Sequence, residues 1–147
     1  MLPAISDFGS FVGGFVAAEG CFTGHGARRF RFSLGLGAGD SDLCRTLVIV
    51  LGVGSVYHTP RRRPHYDDEV QFVVQSTRAL VDVIVPFMDE HLPTSHKRDQ
   101  YLEWRARLLD HWEHHARRRA RCSVAPCMSA AKAHGLCRHH LWRVRRE

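Results

Sequence analysis

The sequence predicts an α+β domain with the element order αββαββαα, followed by a small separate module. Three observations lead to this prediction. Apolar residues recur at helical spacing in four segments, two pairs of short segments alternate apolar with polar residues as strands do, and the composition changes abruptly after His115. A chain of 147 residues that is 44% hydrophobic can hold one such domain and a short appendage.

The first helix is expected from about Asp7 to Glu19, with Ser6 as its N-cap and Gly20 as its terminator. Two strands follow, CFTGH and RFRFSLGLG. In the second strand Phe30, Phe32, Leu34 and Leu36 alternate with polar or small residues, which gives the strand one apolar face.

The residues GDSD are expected to cap a second helix, whose apolar stripe ends at Gly52 and Gly54. A second hairpin pairs SVYHT with EVQFVVQS, and it places Val70, Phe72 and Val74 on one face.

Thr77 is a candidate cap for a third helix that is kinked or broken near Pro86. A fourth helix over 93–115 should bury Tyr101, Trp104, Leu108 and Trp112 on one side. The predicted domains are therefore 1–115 and 116–147.

The charge is distributed unevenly. Residues 116–147 hold nine Lys/Arg against one acid, whereas residues 1–115 hold twelve against fourteen. A basic C-terminal part beside a nearly neutral one favours a nucleic-acid partner over a solvated tail. The longest uncharged run, Thr46 to Tyr57, is too short to cross a bilayer, and the N-terminus lacks a secretory signal pattern. We expect a cytoplasmic, nucleoid-associated protein with no membrane partner.

The first helix contains the unusual run FVGGFVAAEG. Gly13 shares a helix face with Ala17, and Gly14 shares one with Ala18, so small residues flatten this side and allow another helix to approach closely. Phe11, Val12, Phe15 and Val16 are expected to pack against the rest of the domain. The alternative is one tight contact within the chain, with Glu19 as an ordinary surface acid.

FVGGFVAAEGCF resembles the signature helix of the LAGLIDADG homing endonucleases, with Glu19-Gly20 at the family's acid-Gly. The segments LGVGSVY and LPTSHKRDQYLEW are similar to other family segments, the second of them carrying a lysine before the last helix. One residue departs from the pattern, since Ala17 replaces an aspartate that supports the helix end.

The resemblance implies a homodimer of double-stranded-DNA-binding chains whose motif helices pack together. The interface would be formed by Gly13, Gly14, Ala17 and Ala18. Mg²⁺ would be held by Glu19, by its symmetry mate and by the backbone of Gly20. Lys97 would act near the scissile phosphate, unless it is a plain surface lysine at a helix start, and Gln75 is a weaker candidate beside it. A matching DNA-binding face would be formed by the outward residues of the sheet and its turn, namely Thr23, His25, Arg29, Arg31, Ser33, Tyr57, Arg61, Arg62, Arg63, Gln71 and Gln75.

Three of the five cysteines lie near the C-terminus, as Cys122-x4-Cys127-x9-Cys137-x2-His140. Three thiolates and one imidazole are a closed structural zinc set, whereas the alternative is free thiols in a tail. His139 is the rival fourth ligand and His134 a weaker one. The segment GLCRHHLWRVRR resembles small treble-clef-like zinc modules appended to nucleases.

These features together predict a site-specific double-strand DNA endonuclease that uses Mg²⁺ for hydrolysis and Zn²⁺ for structure. The alternatives are a non-catalytic, sequence-specific DNA-binding regulator on the same scaffold and an RNA-splicing maturase.

Overall fold

The structure, a computed structural model, describes residues 5–26, 28–118, 122–127 and 129–144 of the chain. The elements in chain order are α1 Ile5–Glu19, β1 Gly20–His25, β2 Arg28–Gly37, α2 Ser41–Leu51, β3 Ser55–Thr59, β4 Glu69–Val74, α3 Thr77–Ala79, α4 Val85–His91, α5 His96–Arg118 and α6 Arg138–Val144. A 3₁₀ turn, Ala38–Asp40, precedes α2, and a π-helical stretch, Leu80–Ile84, joins α3 to α4. The predicted mixed order of helices and hairpins is confirmed.

The four strands form one antiparallel sheet in the order β1-β2-β4-β3. β2 and β4 are therefore the central strands, and their register pairs Leu34 with Phe72 and Gly35 with Gln71. On β3 the residue opposite Gln71 is Tyr57. Both hairpins connect neighbouring strands, while β2 and β4 meet across a long stretch of sequence.

One face of the sheet carries the core. The alternating apolar residues of β2 and β4 are buried there, from Phe30 to Leu36 and from Val70 to Val74. Helices α1 and α2 pack on this face, and α5 adds Tyr101, Trp104 and Leu108, all buried as the helical spacing predicts. Trp112 is half-buried. The indole N–H of Trp104 donates to the Thr23 carbonyl at 3.0 Å, which ties α5 to β1.

The helix ends differ in three places from the sequence expectation. Helix α1 already includes Ile5 and Ser6, so Ser6 is not its N-cap. Ser76, not Thr77, caps α3, because its hydroxyl accepts from the Ala79 N–H at 3.3 Å. The helical segment is interrupted near Pro86 as predicted, but by a change of helix type and not by an end: the π-helical stretch stops at Ile84, and Pro86 lies in the first turn of α4, where a missing N–H costs little. Gly52 ends α2 with a φ of 68°, as predicted.

The chain divides into two compact units, residues 1–109 and 110–147. This division falls inside α5, whereas the change of composition in the sequence follows His115. Within the second unit, among the residues that the structure describes, α6 and a short bridge between Ala133 and Leu136 are the ordered elements after α5.

A polar network centred on the buried Tyr101 joins α4 to α5. The Tyr101 hydroxyl donates to the Asp89 carboxylate at 2.6 Å and lies 3.0 Å from the Val85 carbonyl oxygen. Arg105 donates twice to the other oxygen of Asp89, at 3.0 and 3.2 Å. Burial and the neighbouring Asp89 carboxylate raise the pKa of Tyr101 well above its usual value, so the phenol stays protonated and can donate.

Tyr101→Phe is expected to lower the free energy of unfolding by about 1–3 kcal/mol, because it removes a buried hydrogen bond to a charged group. Chemical denaturation monitored by circular dichroism measures this loss. Tyr57→Phe is the matched control, since Tyr57 is 53% exposed, and it should change stability little. Equal effects of the two substitutions would show that the Tyr101 hydroxyl contributes nothing to the join between the helices.

Candidate functional site

Glu19 is the last residue of α1, and its side chain is exposed. An acid at a helix C-terminus meets the negative end of the helix dipole, which disfavours it. Gly20 follows as the first residue of β1 and is buried. A Cβ at Gly20 would lie 2.6 Å from the Val16 carbonyl oxygen, so only glycine allows this abrupt change from helix to strand. The chain thus holds an acid at a sharply defined, solvent-accessible corner.

Helix α1 uses its glycines on two different faces. A Cβ at Gly13 would collide with the His91 carbonyl oxygen, and a Cβ at Gly9 would collide with the His91 ring. These glycines therefore let α1 approach α4 within the chain. The expectation that Gly13 serves an interface between chains is corrected: it is buried in the contact with His91.

The outer face of α1 is open. Among the described residues, no atom beyond the helix's own backbone lies within 4 Å of the Cβ position of Gly14, and Ala18 is exposed, whereas Ala17 is half-buried against the core. The sequence places Phe11 in the core, but this residue is 40% exposed and its ring centroid lies 5.0 Å from that of Phe15. An apolar, small-residue face thus remains uncovered and runs towards Glu19.

Three acids that the sequence reasoning missed line the same cavity as Glu19. Asp67, Asp68 and Glu69 line the same open cavity, of about 430 Å³, as Glu19 and Phe15. Asp67 and Asp68 end the β3–β4 loop, and Glu69 begins β4. The run DDE before a strand is visible in the sequence, but its position next to the end of α1 depends on the pairing of β2 with β4.

The two companions predicted for Glu19 lie in different places. Lys97 is the second residue of α5, half-buried, in a turn that Ser95 caps by accepting from the Arg98 N–H at 3.2 Å. Gln75 is exposed and directly follows the C-terminal end of β4, whereas Glu69 begins that strand. The two residues are six positions apart (75 − 69), which is roughly 20 Å at the usual strand rise. The structure does not bring Gln75 to the cavity that Glu19 lines, so its position gives no support to a catalytic role beside Glu19.

The face of the sheet opposite the core carries most of the polar residues predicted to contact DNA. Across the strands this face presents Thr23, Arg31, Ser33, Gln71, Ser55 and Tyr57, at register positions that share one side. His25, Arg61, Arg62 and Arg63 are exposed at the ends of the hairpins. Arg29 departs from the pattern, because His25 pairs with Arg28 and Gly24 with Phe30, which leaves Arg29 as a bulged residue with φ 64°.

The Cys/His cluster is assembled in the second unit. Cys122, Cys127, Cys137 and His140 place one ligand atom each within 4.8 Å of all the others. His140 Nδ1 lies 3.2 Å from the Sγ atoms of both Cys122 and Cys137, and the Sγ atoms of Cys127 and Cys137 are 3.8 Å apart. Zn–S bonds of about 2.3 Å at tetrahedral angles separate two thiolates by about 3.8 Å, so the donor set fits zinc.

The local backbone explains this assembly. Cys137 directly precedes α6 and His140 lies in its first turn, which puts them on one side of the helix start, whereas His139 is exposed. His134 and Gly135 adopt positive φ values of 51° and 72°, and this turn returns the chain so that the Ser123 N–H donates to the Gly135 carbonyl at 2.8 Å. Hydrogen bonds from Ser129 lower the pKa of the Cys127 thiol, which favours the thiolate. Of the nine Lys/Arg residues in 116–147, Arg119, Arg121, Arg145 and Arg146 lie outside the described part of the chain.

Among the described residues, no helix combines the length and the apolar character needed to cross a membrane. In the same part of the chain, the Cys/His cluster is the only group of three or more potential ligands that is close enough to share a metal ion.

Comparison with known proteins gives one family match and several structural neighbours. A search of curated proteins finds no match. The meganuclease I-SmaMI, bound to uncleaveable DNA, superposes with a TM-score of 0.61 at 20% identity over 73% of this chain and 38% of that one. I-CpaMI, a LAGLIDADG meganuclease bound to uncleaved DNA, gives 0.58 at 24% identity over 72% and 38%. I-LtrWI, a LAGLIDADG homing endonuclease bound to target DNA, gives 0.57 at 20% identity over 71% and 36%.

These neighbours establish the fold, and this chain spans less than two fifths of the length of each. The family model for the LAGLIDADG endonuclease matches residues 12–108, a segment that includes most of α1, the whole sheet and the start of α5. Because this match covers 97 of the 147 residues (108 − 12 + 1) and includes the corner at Glu19, the chain belongs to the LAGLIDADG endonuclease family.

Proposed function

We propose that this protein is a homodimeric DNA endonuclease in which two copies of α1 pack together and bring two Glu19 carboxylates to one site. One observation carries the proposal: an exposed acid ends a helix whose outer face is apolar, small and uncovered. A surface acid without function would gain nothing at a helix C-terminus, where the dipole opposes it.

The lengths of the neighbouring structures support the homodimer. The matched region makes up only 36–38% of each neighbour, which leaves room in those chains for a second unit of equal size. This chain supplies one sheet and one α1, so a second copy provides the counterpart. A two-fold dimer reads two equivalent half-sites, and we expect a roughly palindromic double-stranded DNA target.

The residues present fit a divalent ion with a preference for oxygen ligands. The Glu19 carboxylate and the Gly20 carbonyl of each chain would hold Mg²⁺, which favours oxygen donors. When bound, such ions stabilise the charge on the attacking and leaving oxygens of a phosphodiester. The protein itself would position these groups. Gly20 allows the sharp turn after Glu19, and the outer face of α1 sets the distance between the two Glu19 carboxylates. Lys97 would supply a positive charge for the phosphate.

The outer sheet face would bind the DNA on either side of this site. Arg61, Arg62 and Arg63 on the loop are suited to phosphates, which provide affinity, whereas the strand residues are suited to base edges. The Cys3His cluster would hold a structural Zn²⁺, and the basic residues of its module, Arg138 and Arg143 among them, would extend the contact with DNA.

Incubation of a supercoiled plasmid library with the full chain and Mg²⁺ tests the proposal. Cleavage at a discrete set of sites is expected, and Glu19→Gln should reduce its rate by at least about 100-fold, a loss typical of removing a charge-stabilising group. Glu103→Gln is the control, because Glu103 is an exposed acid on α5 and its neutralisation should leave cleavage intact.

Two other outcomes are informative. Sequence-specific binding without cleavage, in Mg²⁺ and in Mn²⁺, would replace the nuclease with a DNA-binding regulator, for which Ala17 in place of the usual motif aspartate is the sequence argument. Binding of structured intron RNA in preference to DNA would favour the maturase.

A further inference from the structure

Three side chains on the outer face of the sheet are linked in series. The Arg31 guanidinium donates through Nη2 to Oε1 of Gln71 at 3.1 Å. Gln71 in turn donates through Nε2 to Oε1 of Glu69 at 3.0 Å. Arg31 lies on β2, and the other two lie on β4, so the first of the two hydrogen bonds crosses between the central strands. We call these residues the Arg31–Gln71–Glu69 relay.

A glycine makes room for the relay. Gly35 pairs with Gln71 across β2 and β4, and it lies on the same face as Arg31, four residues along the strand. A Cβ at Gly35 would lie only 2.6 Å from Oε1 of Glu69. The Glu69 carboxylate therefore occupies the space that a side chain at position 35 would fill.

The order of donors and acceptors in the relay is fixed by Glu69. An ionised carboxylate only accepts, so the Gln71 amide must turn its NH₂ towards Glu69 and its carbonyl oxygen towards Arg31. Arg31 Nε is buried and has no hydrogen-bond partner among the described residues. Because Nε makes no hydrogen bond there, the guanidinium is held through the bond from Nη2 to Gln71, and its orientation depends on the acceptor that Gln71 presents.

The relay opens onto a basic cleft. Arg31, Gln71 and Glu69 line a cleft of about 660 Å³ together with Tyr66 and the three arginines of the β3–β4 loop. Glu69 also lines the cavity that contains Glu19, so the Glu69 end of the relay lies on the Glu19 side of the outer sheet face. Arg31 pairs with Thr23, nearer the β1–β2 turn, and its guanidinium reaches back to Gln71.

We propose that Arg31 is a specificity-determining residue that reads guanine, and that Gln71 and Glu69 are positioning residues that aim it. This inference rests on the proposed function, since it needs duplex DNA on the outer face of the sheet. Two N–H groups of an arginine guanidinium can donate to O6 and N7 of guanine in the major groove. A guanidinium that is already held in the binding orientation loses less entropy on binding, which increases its preference for guanine over the other bases. Gln71, whose carbonyl is committed to Arg31, supports this contact instead of reading adenine.

Selection of bound sequences from a random double-stranded DNA library, in Ca²⁺ so that binding alone is scored, tests the proposal on the full chain. The parent should select guanine at one base pair of each half-site. Arg31→Ala should abolish that preference and so identify the base pair. Glu69→Ala and Gly35→Ala should weaken guanine preference at that same base pair by about 5- to 100-fold, the range of one bidentate contact.

Gly37→Ala is the matched control, because Gly37 lies on the same strand in extended backbone and a Cβ there meets nothing within 4 Å. It should leave the base preference unchanged. Glu69→Ala has a second readout: removal of a negative charge from the DNA-binding face should raise the affinity for unselected DNA, while preference at one base pair falls. A merely structural role for Glu69 would instead lower binding to every sequence.

The possible failures are distinguishable. A parent that selects no DNA sequence would overturn the proposed DNA-binding function, and the relay's role with it. A parent with a defined target whose profile is the same in Glu69→Ala and Gly35→Ala would overturn the relay alone. A change at a base pair other than the one lost in Arg31→Ala would also overturn it.

Discussion

Replacing Cys122 and Cys137 together by serine is expected to eliminate zinc from the protein and to unfold its second unit. The parent should contain about one Zn²⁺ per chain by elemental analysis. Among the residues of 110–144 whose side chains the structure describes, the only buried ones are Cys122 and Cys137, which are themselves ligands. A unit with so little apolar core depends on its metal, and structural zinc contributes about 10–16 kcal/mol of apparent binding free energy in small modules.

The measurement is limited proteolysis with zinc analysis of the full chain, before and after substitution. Cleavage should move into residues 116–144 of the double variant, while the first unit stays protected. Cys21→Ser is the control, because Cys21 is an exposed thiol on β1 and should leave the zinc content unchanged. Zinc content should fall in His140→Gln, whose imidazole belongs to the cluster, and should be unchanged in His139→Gln, whose side chain is exposed. A protein free of zinc as isolated, with the second unit resistant to protease, would contradict the assignment.

Replacing Gly14 by leucine is expected to separate the proposed dimer into folded monomers. In the single chain a side chain at this position meets nothing, so the substitution should leave the free energy of unfolding of the monomer nearly unchanged. In the dimer each leucine would enter the contact between two α1 helices, and both copies carry it. Overpacking by about 1–3 kcal/mol per copy weakens the dimer by about 2–6 kcal/mol, or roughly 30- to 10⁴-fold in its dissociation constant.

Gly13→Ala is the matched comparison, one residue away on the same helix. Its Cβ would collide with the His91 carbonyl oxygen, so this variant should lose at least about 1–3 kcal/mol of monomer stability. Sedimentation velocity and denaturant unfolding, applied to both variants, measure the two effects separately. If Gly14→Leu sediments as the parent dimer and cleaves normally, α1 is not the interface; if Gly13→Ala is as stable as the parent, the contact with α4 is misassigned.

Local patterns in the sequence are sufficient to predict most of the fold. The strict alternation in β2 predicts which of its residues are buried, and the spacing of Tyr101, Trp104 and Leu108 predicts the inner side of α5. The turn at Gly52 is also predictable, because a positive φ at the end of a helix is a local property of glycine. Pro86 signals that the helix is disturbed near this position, but no local pattern predicts that the disturbance takes the form of a π-helical stretch over Leu80–Ile84.

The site is harder to predict, because it depends on contacts between distant segments. Small residues allow a close helix contact within the chain as well as between chains, so the sequence assigns Gly13 and Gly14 to one interface although they face different surroundings. Chemistry alone puts Gln75 near Glu19, whereas the strand register carries it away. The same register, pairing Gly37 with Glu69, brings the acids after the loop towards Glu19, and no local pattern specifies it.

The contact between α1 and α4 has a consequence for engineering. His91 packs against Gly9 and Gly13 of α1, the helix that ends at Glu19. It is also only six residues before Lys97 (97 − 91). The same contact therefore positions α1 and the start of the segment that carries Lys97. Changes in the width of this contact would shift acid and lysine relative to each other without altering either. If Glu19 and Lys97 act together as proposed, Gly9, Gly13 and His91 are the positions to vary in order to change the distance between the two side chains.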